Sequence, residues 1–151
     1  MKIMFVNPPT RDNQRFIREG RCMQSVDSWA AVWPPLTLAI LASIAKKYGE
    51  VRLIDWNVEN FTLEETVGTV VDFKPDLVVT CPTFPSIESD DYFCRRVKEK
   101  CPGSVMLGFG VFFTLLEETS LHDIAGYDAA IFGEPEETFE EFLINYQSTR
   151  R

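Results

Sequence analysis

The sequence lacks the features that mark disulfide-bonded, zinc-binding and membrane-spanning proteins. The longest apolar run, Leu36–Ala45, is far shorter than the ~20 residues that span a bilayer, and the amino terminus has no signal-peptide pattern. The four cysteines show neither a CxxC spacing nor a disulfide framework, so we interpret them as reduced thiols of a cytoplasmic protein. They are Cys22, Cys81, Cys94 and Cys101, of which Cys81 and Cys94 suit a hydrophobic core.

Positive charge is also scarce. The chain has 15 lysines and arginines against 23 aspartates and glutamates, a net charge of -8. A protein that binds nucleic acid through the phosphate backbone needs a positive face, and docking on an anionic membrane needs the same. We therefore expect neither nucleic acid nor a membrane as a partner.

The common ligand and catalytic motifs are missing. No segment matches the phosphate-binding GxxxxGK[ST], and the place where a dinucleotide fingerprint GxGxxG would stand holds Asn7-Pro8-Pro9, whose prolines offer no N–H groups. A phospho-acceptor domain needs carboxylates after strands one and three, where this chain has Asn7 and Thr80-Cys81. The single histidine, His122, has no second histidine with which to form a zinc site. The sequence predicts no assembled active site.

Strand-like apolar runs and helical patterns alternate along the whole chain. The helical patterns begin after Pro34-Pro35, at the capping box of Thr62 and Glu65, at Ile87, at Phe113 and at Pro135. Such alternation is typical of βαβ units around a parallel sheet. The predicted strands are Lys2–Val6, Val51–Ile54, Leu77–Val79, Val105–Leu107 and Ala129–Phe132.

This order predicts a single α/β domain over residues 1–146, a three-layer, Rossmann-like, doubly wound parallel sheet of five strands. The right-handed crossover rule favours the flavodoxin-like strand order 2-1-3-4-5. We expect the first helix to be buried deeply, the helix from Phe113 to reach Ile124, and residues 147–151 to form a frayed tail.

The connection between the first strand and the first helix is unusually long. Residues 7–33 are about 27 residues, whereas most such loops have 2–6. Two interpretations remain open: a surface excursion whose tryptophans cover the sheet, or a lid with arginines for an anionic ligand and indoles for a flat one. The residues concerned are Arg11, Arg15, Arg18, Arg21, Trp29 and Trp33.

Each predicted strand ends in small or turn-forming residues. In open parallel sheets, ligands bind at these carboxyl ends, so the strand ends are the predicted site. Among the glutamates that follow the last strand, only Glu134 falls in such a turn. Those from Glu136 to Glu141 fit a helix amino terminus and a solvated helix face.

Four segments together resemble the amino-terminal cobalamin-binding domain of cobalamin-dependent radical SAM enzymes, a group that includes anaerobic magnesium-protoporphyrin IX monomethyl ester cyclases and many methyltransferases. The resemblance covers approximately residues 1–145. It implies a corrinoid bound at the strand ends, with its nucleotide tail in the crevice. The segments are MKIMFVNPP at 1–9, PPLTLA at 34–39, KPDLV at 74–78 and GEPEETF at 133–139.

The resemblance also implies which residues line that site. They follow the first, third, fourth and fifth strands, where glycines allow close backbone approach and threonines supply hydroxyls. The implied cofactor-binding residues are Asn7, Pro8, Pro9, Thr80, Pro82, Thr83, Gly108, Phe109, Gly110, Gly133 and Glu134.

Three departures from the family refine this expectation. The first loop has no histidine, so it cannot supply an axial ligand to cobalt; Phe109 stands in a segment where the family often has Gly-Gly-Pro-His, and we expect it to narrow the tail channel. The CxxxCxxC triad is missing, so a 4Fe-4S cluster and S-adenosylmethionine would belong to a missing carboxyl-terminal radical SAM barrel, in cis or in trans. We do not expect this chain to be catalytic alone.

Two alternatives remain. Because Phe109 could fill the crevice, the chain could be a degenerate docking domain that has lost the cofactor. Because of its arginine-rich loop, it could instead be an enzyme acting on a small anionic substrate.

Overall fold

Five parallel strands form the centre of the fold. The computed structural model describes residues 1–12, 18, 33–116, 121–122 and 124–149. All neighbouring strands are parallel, and their order is β2-β1-β3-β4-β5, which confirms the predicted fold and strand order. The strands are β1 (Lys2–Asn7), β2 (Glu50–Asp55), β3 (Leu77–Thr80), β4 (Val105–Phe109) and β5 (Ala129–Ile131).

The helices follow the predicted pattern closely. The capping box forms as expected: the Glu65 amide donates to the Thr62 hydroxyl at 3.2 Å, and the Thr62 amide donates to the Glu65 carboxylate at 2.8 Å. The helices are α1 (Leu36–Ala45), α2 (Trp56–Glu59), α3 (Leu63–Phe73), α4 (Ile87–Lys100), α5 (Val111–Leu116) and α6 (Pro135–Thr149).

Two apolar cores lie on opposite faces of the sheet, because successive strand side chains point to opposite sides. On one face, Met4 and Val78 pack with residues of α3, α4 and α5. On the other face, Phe5 and Phe109 pack with residues of α1 and α6. The ring centroids of Phe5 and Phe139 lie 5.8 Å apart in an edge-to-face arrangement. The carboxyl ends of the strands therefore lie between the helices on one face of the sheet and those on the other.

Several boundaries differ from the prediction. The single turn α2 was not predicted; it forms because the Asp55 carboxylate accepts from the Asn57 amide at 3.1 Å and caps it. Within the described residues, helix α5 spans Val111–Leu116, and Ile124 lies outside any helix. Residues 147–149, which we expected in a frayed tail, continue α6, where the Gln147 side-chain amide donates to the Tyr48 carbonyl at 2.8 Å. Residues 150–151 lie outside the described residues.

Helix α1 is less buried than its composition suggested. Leu38 and Leu41 are buried, but Leu36 is 52% exposed and Ile40 is 48% exposed. Within the described ranges, no helix combines the length and the apolar character needed to cross a bilayer.

Candidate functional site

A cleft of about 410 Å³ opens at the carboxyl ends of β4 and β5. Its walls come from the first turns of α1 and α6, from α5, and from the ends of the strands. It is lined by Arg18, Thr37, Cys81, Phe109, Gly110, Val111, Thr114, Leu115, Gly133, Glu134, Pro135 and Glu136.

Two glycine turns shape the floor of the cleft. Gly110 has φ 109° and Gly133 has φ 76°, conformations that residues with a side chain rarely adopt. A Cβ atom at Gly110 would lie 2.9 Å from the Cys81 sulfur, whereas a Cβ at Gly133 would meet no atom within 4 Å. The backbone at Gly133 is therefore open to close approach by a ligand.

Thr114 connects these two turns. Its hydroxyl accepts a hydrogen bond from the Gly133 amide and donates one to the Gly110 carbonyl, each at 3.0 Å. The side chain thus holds the ends of β4 and β5 together at the cleft. Sequence reasoning missed Thr114 because it placed the residue only in the first turn of a helix.

Arg18 forms part of the wall, and it is the only described residue between positions 12 and 33. It is paired with Asp90 at the start of α4; the exposed fractions of the two side chains are 5% and 0%. Burial lowers the pKa of Arg18, and the adjacent Asp90 carboxylate raises it by more, so the guanidinium stays charged. This arginine is engaged within the protein rather than presented to an anion.

Of the residues expected to bind a cofactor, the structure brings four together in the cleft: Phe109, Gly110, Gly133 and Glu134. Phe109 is 1% exposed and packs in the core, leaving the cleft open beside it. It therefore lies in the floor of the cleft without filling it.

The two threonines expected in the site use their hydroxyls elsewhere. The Thr80 hydroxyl lies 2.8 Å from that of Tyr127 in the core, and the Thr83 hydroxyl lies 3.0 Å from that of Ser86. Pro82 is buried beside them. These interactions join residues distant in sequence or within a tight turn, so spacing alone did not reveal them.

Gly108 is small for a reason other than ligand approach. A Cβ atom there would lie 2.2 Å from the Phe113 ring and 3.0 Å from the Tyr127 ring. The glycine lets these two rings, whose centroids are 5.2 Å apart, pack against the sheet. Its position is fixed by the core on the side of α5.

The residues at the end of β1 and directly after it lie apart from the cleft lining. The Asn7 side-chain amide donates to the Asp55 carboxylate at 2.7 Å, and burial raises the pKa of Asp55. The other carboxylate oxygen of Asp55 is buried and has no hydrogen-bond partner within the described part of the chain. Pro8 and Pro9 are buried, and the Pro8 carbonyl accepts from Arg18 at 3.0 Å.

The chemistry of the lining suits binding. The lining combines apolar side chains with hydroxyls and carboxylates, a combination typical of ligand pockets. His122 is exposed and outside the lining. In the described ranges, no group of three or more His, Cys, Asp or Glu residues is placed to hold a metal ion. An open cleft of this size can hold part of a larger ligand.

Two sequence comparisons identify relatives of this chain. A family model described as "B12 binding domain" matches residues 26–143. An uncharacterized methyltransferase of Pyrococcus horikoshii is 30% identical over 145 residues, which are 95% of this chain and 29% of that protein. The chain thus spans less than a third of that relative's length.

Comparison with solved structures supports the fold alone, because the sequence identities are low. A CheY-like protein (tadZ) of Pseudomonas aeruginosa PAO1 superimposes with a TM-score of 0.62 at 10% identity, over 97% of this chain and 98% of that one. The BeF3-activated DrrB receiver domain gives a TM-score of 0.60 at 16% identity, over 99% and 97%.

Proposed function

Because the chain belongs to the B12-binding domain family, we propose that it is the cobalamin-binding module of a B12-dependent radical SAM protein. The family makes a corrinoid the expected ligand. The open cleft at the strand ends is the observation that carries the placement of that ligand in this chain.

The cleft fits one part of cobalamin. Its volume of about 410 Å³ lies at the lower end of ligand pockets and is too small to enclose a whole corrinoid. It suits the long, partly flat nucleotide tail, with the corrin lying across the strand ends outside it. The residues that would hold the tail are Phe109, Gly110, Thr114, Gly133 and Glu134.

The cobalt would receive no imidazole from the first loop. His122 is the only histidine of the sequence, and it is outside both that loop and the cleft lining. When bound, the corrinoid supplies methyl-transfer or related chemistry, and this chain's residues bind and orient it.

The reaction itself would need a second domain. The chain spans 29% of the length of the related methyltransferase, so most of such a protein lies outside the matched region. Apolar side chains at the carboxyl-end face are exposed: Trp33, Leu36, Val111, Leu115 and Phe132. We propose that they face a cytoplasmic radical SAM barrel, in cis or in trans, that carries the 4Fe-4S cluster and S-adenosylmethionine for methyl transfer or cyclisation.

The docking-domain alternative is less well supported, because Phe109 packs in the core and leaves the cleft open. The anionic-substrate alternative also lacks support from the described arginines of the long loop. Arg18 is paired with Asp90, and the Arg11 guanidinium lies 4.7 Å from the centroid of the Tyr92 ring. Arg15, Arg21 and Trp29 lie outside the described residues.

Gel filtration with hydroxocobalamin tests the proposal. We expect the corrinoid absorbance to co-migrate with the wild-type chain and to be lost with Val111→Trp, which fills the cleft. The matched control is Ile144→Trp, at an exposed position on α6 outside the cleft lining, which should retain the corrinoid. Failure of the wild-type chain to retain corrinoid would refute the proposal.

A further inference from the structure

The guanidinium of Arg18 lies within hydrogen-bond distance of five acceptor atoms among the described residues. Nη2 donates to the Pro8 carbonyl at 3.0 Å and to the Asp90 carboxylate at 2.9 Å. The two N–H groups of Nη1 are shared among three acceptors: the Cys81 carbonyl at 3.3 Å, the Ser86 hydroxyl at 3.2 Å and the second Asp90 oxygen. Both terminal nitrogens are therefore engaged.

These acceptors come from three separate parts of the fold. Pro8 follows β1, Cys81 follows β3, and Ser86 and Asp90 stand at the start of α4. The network extends further, because the Ser86 hydroxyl donates to Asp90 at 2.7 Å and accepts from the Thr83 amide at 2.9 Å. A single side chain thus fixes position 18 against the ends of two neighbouring central strands.

The same side chain lines the cleft together with Cys81. Cys81 in turn lies within contact distance of the place a Cβ would occupy on Gly110. A shift of Arg18 would therefore alter the wall next to the Gly110 turn, even though its charged group meets no ligand.

We propose that Arg18 is a positioning residue for the corrinoid tail: its pairing with Asp90 fixes the wall of the cleft, and it does not act as a cation that meets an anionic group. This inference rests on the proposed function. It assigns to the buried Arg18–Asp90 pair a role in the preference for corrinoids that carry the nucleotide tail.

The pair can be removed in ways that separate positioning from folding. Loss of one member of a buried ion pair leaves an uncompensated charge and can unfold a protein, whereas replacing both members with apolar residues is often neutral. Arg18→Lys retains the charge but loses the planar fork that reaches several acceptors at once. The three variants to be tested are Asp90→Asn, Arg18→Lys and the double variant Arg18→Met with Asp90→Leu.

Binding of two corrinoids gives a readout that general destabilisation does not change. Cobinamide lacks the nucleotide tail, so the ratio of its Kd to that of hydroxocobalamin reports the tail's contribution. Both are measured by absorbance titration, well below the thermal midpoint of every variant. We expect each of the three variants to lower this ratio by about tenfold. Glu64→Gln, which breaks the exposed Arg96–Glu64 pair with the same change in charge as Asp90→Asn, should leave it unchanged.

The outcomes separate the two proposals. If the wild-type chain binds neither corrinoid, the proposed function fails and the inference fails with it. If the wild-type chain favours hydroxocobalamin and the variants keep that preference, only the positioning role is refuted. Tighter cobalamin binding by Asp90→Asn would also refute it, because a freed guanidinium would then be meeting the ligand directly.

Discussion

The Thr114 hydroxyl accepts a hydrogen bond from the Gly133 amide at 3.0 Å and so links α5 to the turn after β5. The same hydroxyl donates to the Gly110 carbonyl, which also accepts from the Thr114 amide at 3.0 Å. One side chain therefore contacts both glycine turns of the cleft. We expect this link to contribute to the geometry of the cleft.

Replacing Thr114 with valine tests the link, because valine keeps the shape of threonine and removes its hydroxyl. We expect the free energy of unfolding to fall by about 1 kcal/mol, the usual contribution of a hydrogen bond, and the affinity for hydroxocobalamin to fall by about fivefold. Urea denaturation and absorbance titration measure the two effects.

The control is Thr69→Val on the exposed side of α3, where the hydroxyl donates only to the Glu65 carbonyl at 2.9 Å. This variant should bind corrinoid as the wild type does. Unchanged affinity in Thr114→Val would show that the turns keep their shape without the link.

Gly108→Ala should destabilise the fold by about 1–3 kcal/mol, the usual cost of overpacking a core. The added methyl group would lie 2.2 Å from the Phe113 ring, which is fully buried. Chemical denaturation measures the change as a lower midpoint.

Gly68→Ala is the matched comparison within helix α3. No atom outside its own helix lies within 4 Å of the added methyl group, and alanine favours a helix over glycine by up to about 1 kcal/mol. We therefore expect opposite signs for the two substitutions. A stabilising effect of Gly108→Ala would contradict the packing described for Phe113.

The strands and their order could be predicted because they depend on local signals. Apolar runs that end in turn-forming residues located all five strands, and crossover handedness limited their arrangement. The capping box at Thr62 likewise fixed the start of α3, since its groups interact with neighbours in sequence. Local chemistry was therefore sufficient to predict these elements.

The site was less predictable because its contacts join distant residues. Thr80 and Tyr127 are 47 positions apart, and Arg18 and Asp90 are 72 apart, so no spacing in the sequence brings them together. Gly108 and Gly110 looked equivalent in the sequence. Gly108 makes room for the Phe113 ring, whereas Gly110 adopts a positive φ. Only the packing of α5 distinguishes these two roles.

Asp55→Asn tests the buried carboxylate at the end of β2. Burial raises the pKa of Asp55 in the folded state, so the native protein binds the proton more tightly than the unfolded chain. The stability associated with this group is therefore fully present below its unfolded pKa and is lost as pH rises through the folded pKa.

We expect Asp55→Asn to be more stable than the wild type at pH 7 by about 1 kcal/mol, because a neutral amide costs less to bury than a carboxylate. The advantage should shrink as pH falls and Asp55 takes up its proton. Asparagine can still accept from Asn7 and Asn57, so the cap of α2 remains. Denaturation at several pH values measures the difference, with exposed Asp72→Asn as the control. An advantage that grows on acidification would contradict the assignment.

The most direct test of the corrinoid assignment is a crystal structure of the chain grown with hydroxocobalamin. We expect density for the nucleotide tail between α1 and α5, in contact with Gly110 and Gly133, and for the corrin across the strand ends. Density for the corrinoid at another face, with the cleft occupied only by solvent, would contradict it.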